Sequence, residues 1–173
     1  MGLATSFQVP GDLSFYNLVV FLHIMSLVVG LGVIFTYPVF LRLGMARDPR
    51  GLPLFHRVQE MIGGRVITAG LGGLLLTGIY LAIDGPFDFS EIFVGVGILV
   101  VLFNGALGGL YYSKRIPRLM ELAERDIAAA KDNPHPKLSP EYVNLARQVE
   151  LVGYLSAGTV LMAMLFMVFK PGV

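Results

Sequence analysis

Long apolar runs alternate along the chain with short charged ones. Asp, Glu, Lys and Arg are absent from 13–41, 66–83, 92–113 and 151–169, runs of 29, 18, 22 and 19 residues. A helix that crosses a bilayer needs about 20 mostly apolar residues at 1.5 Å rise each. All four runs meet that length, the second once 61–64 extends it and Arg65 snorkels to the headgroups. Nothing reads as the alternating ten-residue strands of a barrel, so helices remain as the way to satisfy backbone groups in lipid. The pattern predicts spans at about 14–41, 62–83, 91–113 and 149–169. The expected fold class is all-α, a polytopic four-transmembrane-helix bundle forming one domain over 1–173.

A helical extension follows the third span. Ile116, Leu119, Met120, Ala123 and Ile127 recur at helical spacing among Arg118, Glu121, Glu124, Arg125 and Asp126, the signature of an amphipathic helix. It continues the third span with a kink at Pro117, and its apolar face lies on headgroups, on its own bundle or against a partner. Asn133-Pro134-His135-Pro136 breaks the chain. Ser139 as N-cap and Pro140 at the first helical position restart it. The expectation is a cytoplasmic helical hairpin over 114–148 and a last helix from Pro140 to Phe169.

Composition and charge refine this picture. The chain of 173 residues is 55% hydrophobic and 14% charged, where a soluble domain carries roughly a quarter charged residues. The surplus apolar surface has to face lipid. Twelve of thirteen Lys and Arg fall in 42–65 and 114–147, with Lys170 the exception. The positive-inside rule then makes these two segments cytoplasmic and puts both termini outside, in a cytoplasmic (inner) membrane. No Lys or Arg precedes Arg42, so the first run reads as a retained helix rather than a cleaved signal. A net charge of +1 argues against nucleic acid as partner, and the lack of Cys excludes disulfides and thiolate metal sites. Glycines concentrated in the second and third spans allow close helix packing, within one bundle or in a homo-oligomer or membrane complex.

Candidate chemistry is sparse. His135 sits in a proline-flanked loop and reads as solvated. His56, beside Arg57 and four residues before Glu60, reads as a local hydrogen bond or ion pair. His23 lies about 15 Å inside the first span, a depth at which an ionisable side chain is a functional-site hypothesis by default. Ser26 and Gly30 share its helical face, so that face points into the bundle. Helix register brings Thr77 and Asn104 to a similar depth, with Thr159 just below. These residues are expected to form a polar layer, either as an interhelical hydrogen-bond cluster, as a haem or metal site on His23, or as a substrate or proton path. No span contains a carboxylate, which argues against a solvated ion pathway; no catalytic constellation is complete, which favours a non-enzymatic structural, accessory or channel-like role.

Leu22-His23-Ile24, Gly30, Gly32, Pro38 and Arg42 in the first span resemble the first helix of a set of small bacterial membrane proteins. Leu76-Thr77-Gly78-Ile79-Tyr80 and the ending Met167-Val168-Phe169-Lys170-Pro171 are similar to the same set, an uncharacterised four-helix integral membrane family (a domain of unknown function). More distantly, the first span is similar to that of haem-binding four-helix protoporphyrinogen oxidases and of copper-resistance D proteins. In the oxidase type a first-helix histidine precedes a proline by fifteen residues, as His23 precedes Pro38. That resemblance implies haem b as a cofactor and His23 as its axial ligand.

Overall fold

The structure is a computed structural model and describes residues 14–85, 89–131, 133 and 135–171. They form four helical columns, each long and apolar enough to cross a membrane, and no strand occurs among the described residues. The first column is α1 (Phe15–Leu31), a 3₁₀ turn over Gly32–Phe35 and α2 (Tyr37–Arg47). The second is α3 (Leu52–Ile62), a π-helical segment Gly63–Ile67 and α4 (Thr68–Asp84). The third is α5 (Ile92–Ala106), a π-helical segment Leu107–Tyr112 and α6 (Ser113–Ala129); the fourth is α7 (Pro140–Phe169). The all-α, four-span architecture is the expected one.

Local chemistry explains where the helices begin and end. Ser14 and Ser139 cap α1 and α7, their hydroxyls accepting the N–H of Asn17 and Tyr142. Pro140 occupies the first turn of α7, where its missing donor costs nothing. Lys170 ends that helix in the left-handed region at φ 42°, just before Pro171. The first column departs from the uninterrupted helix expected over 14–41. Pro38 has no N–H for the carbonyl of Ile34, the backbone tightens to a 3₁₀ turn, and the Thr36 hydroxyl donates to Val33 O at 2.8 Å.

Beyond the third span the helix does run on through Pro117. Its apolar stripe is buried on its own bundle: Ile116, Leu119, Leu122 and Ala123 pack with Leu41, Leu52, Tyr142, Ala146 and Val149. We call this the charged end, since most ionic side chains surround it. Arg50 closes the C-terminal turn of α6 there, donating to the carbonyls of Ala130, Lys131 and Asn133 at 3.2, 3.1 and 2.6 Å. The chain break after it falls partly outside the described residues, at Asp132 and Pro134. A second core, made of Leu31, Ile34, Leu71, Leu74, Val100, Ala157 and Val160, lies midway along the columns. Large side chains such as Leu76, Leu99 and Leu165 point outward and remain exposed, as a lipid-facing surface requires.

α1 packs chiefly on α4, and it does so through small residues. A Cβ on Gly30 would lie 2.5 Å from the Cα of Gly70, and one on Gly73 would lie 2.5 Å from Ser26 Oγ. Backbone meets backbone at the first of these contacts, so nothing there can rotate away. Gly70→Ala is therefore expected to cost about 1–3 kcal/mol, the usual range for overpacking. Gly72→Ala, whose Cβ meets nothing within 4 Å, is expected to be neutral or slightly stabilising. Thermal unfolding of both variants in one detergent compares them; equal midpoints would show that the α1–α4 contact is not limiting.

Candidate functional site

The polar residues singled out in the spans separate into two groups. His23 on α1 meets Thr77 on α4, with Nδ1 2.8 Å from the Thr77 hydroxyl oxygen. That hydroxyl donates its one proton to Gly73 O at 2.5 Å, so toward His23 it can only accept. Nδ1 therefore carries the ring proton and Nε2 is left unprotonated, a lone pair available to a donor or a metal. Gly78 makes room for the ring: a Cβ there would lie 3.3 Å from His23 Cε1.

Asn104 belongs to the other group, on the α5–α7 contact. Its Nδ2 donates to Val100 O at 2.9 Å and to Thr159 Oγ1 at 3.1 Å, while Oδ1 accepts from the Ser156 hydroxyl. Thr159 passes its own proton to Ser156 O at 2.8 Å. Every donor of this buried cluster is used, as an interhelical link in lipid demands. Among the described residues no hydrogen bond joins the His23 pair to the Asn104 cluster.

The two groups also border different cavities. An outer cavity of about 390 Å³, toward the end marked by Ala82 and Phe93, is lined on α1 by residues up to Leu31 and on α4 from Leu74 onward. An inner cavity of about 540 Å³, toward the charged end, begins at Ile34 on the first column and ends at Leu71 on the second. The same division runs between Val101 and Asn104 on the third column and between Ser156 and Val160 on α7. The mid-bundle core of Leu31, Ile34, Leu71, Leu74, Val100 and Val160 thus separates them. His23 is on the outer cavity, otherwise almost wholly apolar, with Met164 and Met167 on the α7 wall and Tyr16 and Lys170 also in its lining. Asn104 and Ser156 are on the inner one.

Helix irregularities concentrate on the inner cavity. Ile34 of the 3₁₀ turn, Gly63, Gly64 and Ile67 of the first π segment, and Gly108, Gly109 and Tyr112 of the second all line it. Each π segment disturbs the regular backbone ladder, and a hydroxyl at its edge takes up a carbonyl. Thr68 Oγ1 donates to Gly63 O at 3.2 Å and Ser113 Oγ to Gly109 O at 2.6 Å. Both have a Gly-Gly pair followed four or five residues later by Ser or Thr, but Gly72-Gly73 and Thr77 share that spacing within regular α4, so the pattern alone does not mark a π segment.

His56 makes the expected local hydrogen bond, but to Gln59, and it adds a distant partner. It is fully buried at the charged end, and its partners are neither Arg57 nor Glu60. Arg57 instead reaches Glu124 at 3.8 Å. Gln59 Oε1, which can only accept, lies 3.3 Å from Nδ1, so Nε2 accepts the Tyr142 hydroxyl proton at 2.8 Å. Burial disfavours the imidazolium, against a smaller opposing effect of the Gln59 hydrogen bond, and lowers the His56 pKa to about 4. Burial likewise raises that of Tyr142 well above its ordinary value, helped by the nearby Asp126 charge. His135 is exposed, and its backbone N–H donates to Asn133 Oδ1 at 2.9 Å. Among the described residues no group of three or more His, Asp or Glu side chains could hold a metal ion.

A family described as "Predicted integral membrane protein (DUF2269)" matches residues 17–171. Its description names neither an activity nor a cofactor. No curated protein and no solved structure matches the chain.

The buried His56 makes stability depend on pH. Its folded pKa of about 4 lies below the unfolded value of 6.5, so the unfolded chain takes up a proton that the folded one refuses. Stability is complete above pH 6.5, declines as pH falls toward 4, and levels off below that. Between pH 7 and 5 the loss should be about 2 kcal/mol. His56→Gln, which keeps an acceptor for Tyr142 but cannot titrate, should flatten that decline in thermal-unfolding midpoints. A variant that retains the full wild-type slope would assign it to other groups.

Proposed function

The chain belongs to the family of predicted integral membrane proteins DUF2269, and from that premise we propose that it is a non-enzymatic accessory bundle of the bacterial cytoplasmic membrane. In this reading it holds a membrane-soluble ligand and does not conduct ions. The observation that carries it is the division of the interior into two cavities by the apolar core of Leu31, Ile34, Leu71, Leu74, Val100 and Val160. An ion on the bundle axis would have to cross that layer with no polar side chain to replace its hydration, a cost of several kcal/mol. A molecule with an apolar body meets no such cost in either cavity. The Lys and Arg gathered at the charged end support placing that end in the cytoplasm. Proteoliposomes should show no K⁺, Na⁺ or H⁺ flux above protein-free vesicles. Flux that saturates with protein and is blocked by a bulkier residue at Val100 would overturn the sealed reading in favour of a channel.

A second reading follows from the tautomer of His23. The unprotonated Nε2 and the thioethers of Met164 and Met167 belong to one apolar cavity. His and Met are a donor set that suits haem iron, so these residues would hold haem b, and the cofactor would supply one-electron chemistry. Thr77 would then act through the ring, fixing its orientation and raising the basicity of Nε2, as hydrogen-bonded histidine ligands require. Protein purified from haem-replete membranes should show a Soret band that His23→Ala abolishes and that Thr77→Val shifts or weakens. The absence of a band in the wild type, or a band indifferent to His23→Ala, would end this reading.

A further inference from the structure

The inner cavity carries chemistry that the haem reading of the outer one does not use, and an inference from it rests on the reading of the bundle as a holder of membrane-soluble ligands. Two carboxylates line it, Glu60 and Glu150. Glu150 is neutralised, its carboxylate 2.5 Å from the Arg42 guanidinium and accepting from the Tyr154 hydroxyl at 3.3 Å. Glu60 is exposed and has no hydrogen bond or ion pair among the described residues. With Glu60 (−1) and Glu150 (−1) set against Arg42 (+1), the lining keeps one uncompensated negative charge.

The remaining wall is mostly apolar and aromatic, with Gln59, Thr68, Asn104, Ser113 and Ser156 as its uncharged polar members. Tyr37 and Tyr112 both line the same cavity, and each ring is held edge-to-face by a neighbour, Phe55 and Tyr111. The Tyr37 hydroxyl is buried with no hydrogen-bond partner among the described residues, which is unusual for a native structure. The glycines around them make no packing contacts, and Gly64, Gly105, Gly108 and Gly109 are exposed. A Cβ on Gly63, Gly64, Gly105, Gly108 or Gly109 would meet nothing within 4 Å. These are unlike Gly30 and Gly70, which are needed for packing.

A carboxylate and two aromatic rings on an apolar chamber of about 540 Å³ form a recognition set for one ligand class. Organic cations are drawn to aromatic faces and to an unpaired acid, while their apolar bodies fill the room that the glycines leave. An anion of equal size would meet the same apolar walls and be repelled by Glu60. We propose that the inner cavity is a binding site for an organic cation with an apolar body, with Glu60 as its counter-ion and Tyr37 and Tyr112 as its aromatic walls. The site shares no lining residue with the outer cavity, and so stands or falls separately from what binds at His23.

Tetraphenylphosphonium and tetraphenylborate, alike in size and opposite in charge, test it by equilibrium dialysis against the full chain in nanodiscs, with protein-free nanodiscs as blank. The cation should bind saturably and the borate at least about tenfold more weakly. Glu60→Gln, at an exposed position, should weaken the cation about tenfold and leave the borate no weaker. Gly108→Leu should abolish cation binding while the thermal midpoint is retained. Equal binding of the two probes, or cation binding unchanged by Glu60→Gln, would overturn the proposal. So would a wild-type dimer that ignores the cation and that Gly108→Leu dissociates, because the glycine wall would then belong to a second copy of the chain.

Discussion

Between helices in lipid there is no water to drive association, because hydrocarbon tails are as apolar as leucine side chains. Contact has to come from close packing and from polar groups that satisfy one another. Here both are concentrated on two helix pairs. α1 and α4 touch backbone to backbone at Gly30 and Gly70, and His23 reaches Thr77 a little further along the same seam. α5 and α7 are joined by Asn104, Ser156 and Thr159. Interhelical hydrogen bonds of this kind contribute on the order of 0.6 kcal/mol each. The glycine contact is what brings the α1–α4 donors and acceptors within reach.

The cavities follow from the same economy of contact. Where the paired seams meet at mid-depth, leucine, isoleucine and valine fill the space between them. Toward the charged end the three columns that contain breaks all have them beside the inner cavity. Irregular backbone at membrane depth is tolerated where it is buried in protein or lines a cavity. The positions of the breaks and of the chamber are therefore one fact. Thr36, Thr68 and Ser113 repair carbonyls at each break, so the backbone is satisfied without the glycines being needed for packing there.

How much of this was legible in the sequence depends on the kind of information each feature needs. Spans and caps are one-dimensional: a charge-free run is long enough or it is not, and Ser139-Pro140 begins a helix wherever that helix packs. The small face of α1, with His23, Ser26 and Gly30, was legible for the same reason. The polar layer was a different matter. Depth counting brought His23, Thr77 and Asn104 to one level, but depth says nothing of rotation about each helix axis, and rotation assigns them to separate seams. For His56 a local hydrogen bond was legible but its partners were not, because Tyr142 is 86 residues away and the near partner is Gln59 rather than Glu60. A 3.6-residue count cannot choose between i+3 and i+4 without knowing which face is buried.

The charged end and the apolar half hold together by different forces. Around Leu119, Leu122, Ala123 and Tyr142, side chains leave water on folding, so burial there contributes roughly 25 cal/mol per Å² of apolar surface. Arg50 on the last carbonyls of α6, and Arg125 and Ser139 around Asp126, tie that end further. Asp126 shows the balance: burial works to raise its pKa, yet hydrogen bonds from Ser139 and Arg125 outweigh it and lower the value. Burial of this kind contributes nothing comparable inside lipid, where an apolar side chain gains little by moving from a tail to a neighbouring helix. A bundle clamped at one end by water-driven burial can leave room elsewhere among its helices without coming apart. That division lets so short a chain combine a packed end with two cavities, because the contacts that hold the columns together are not those that a ligand would displace.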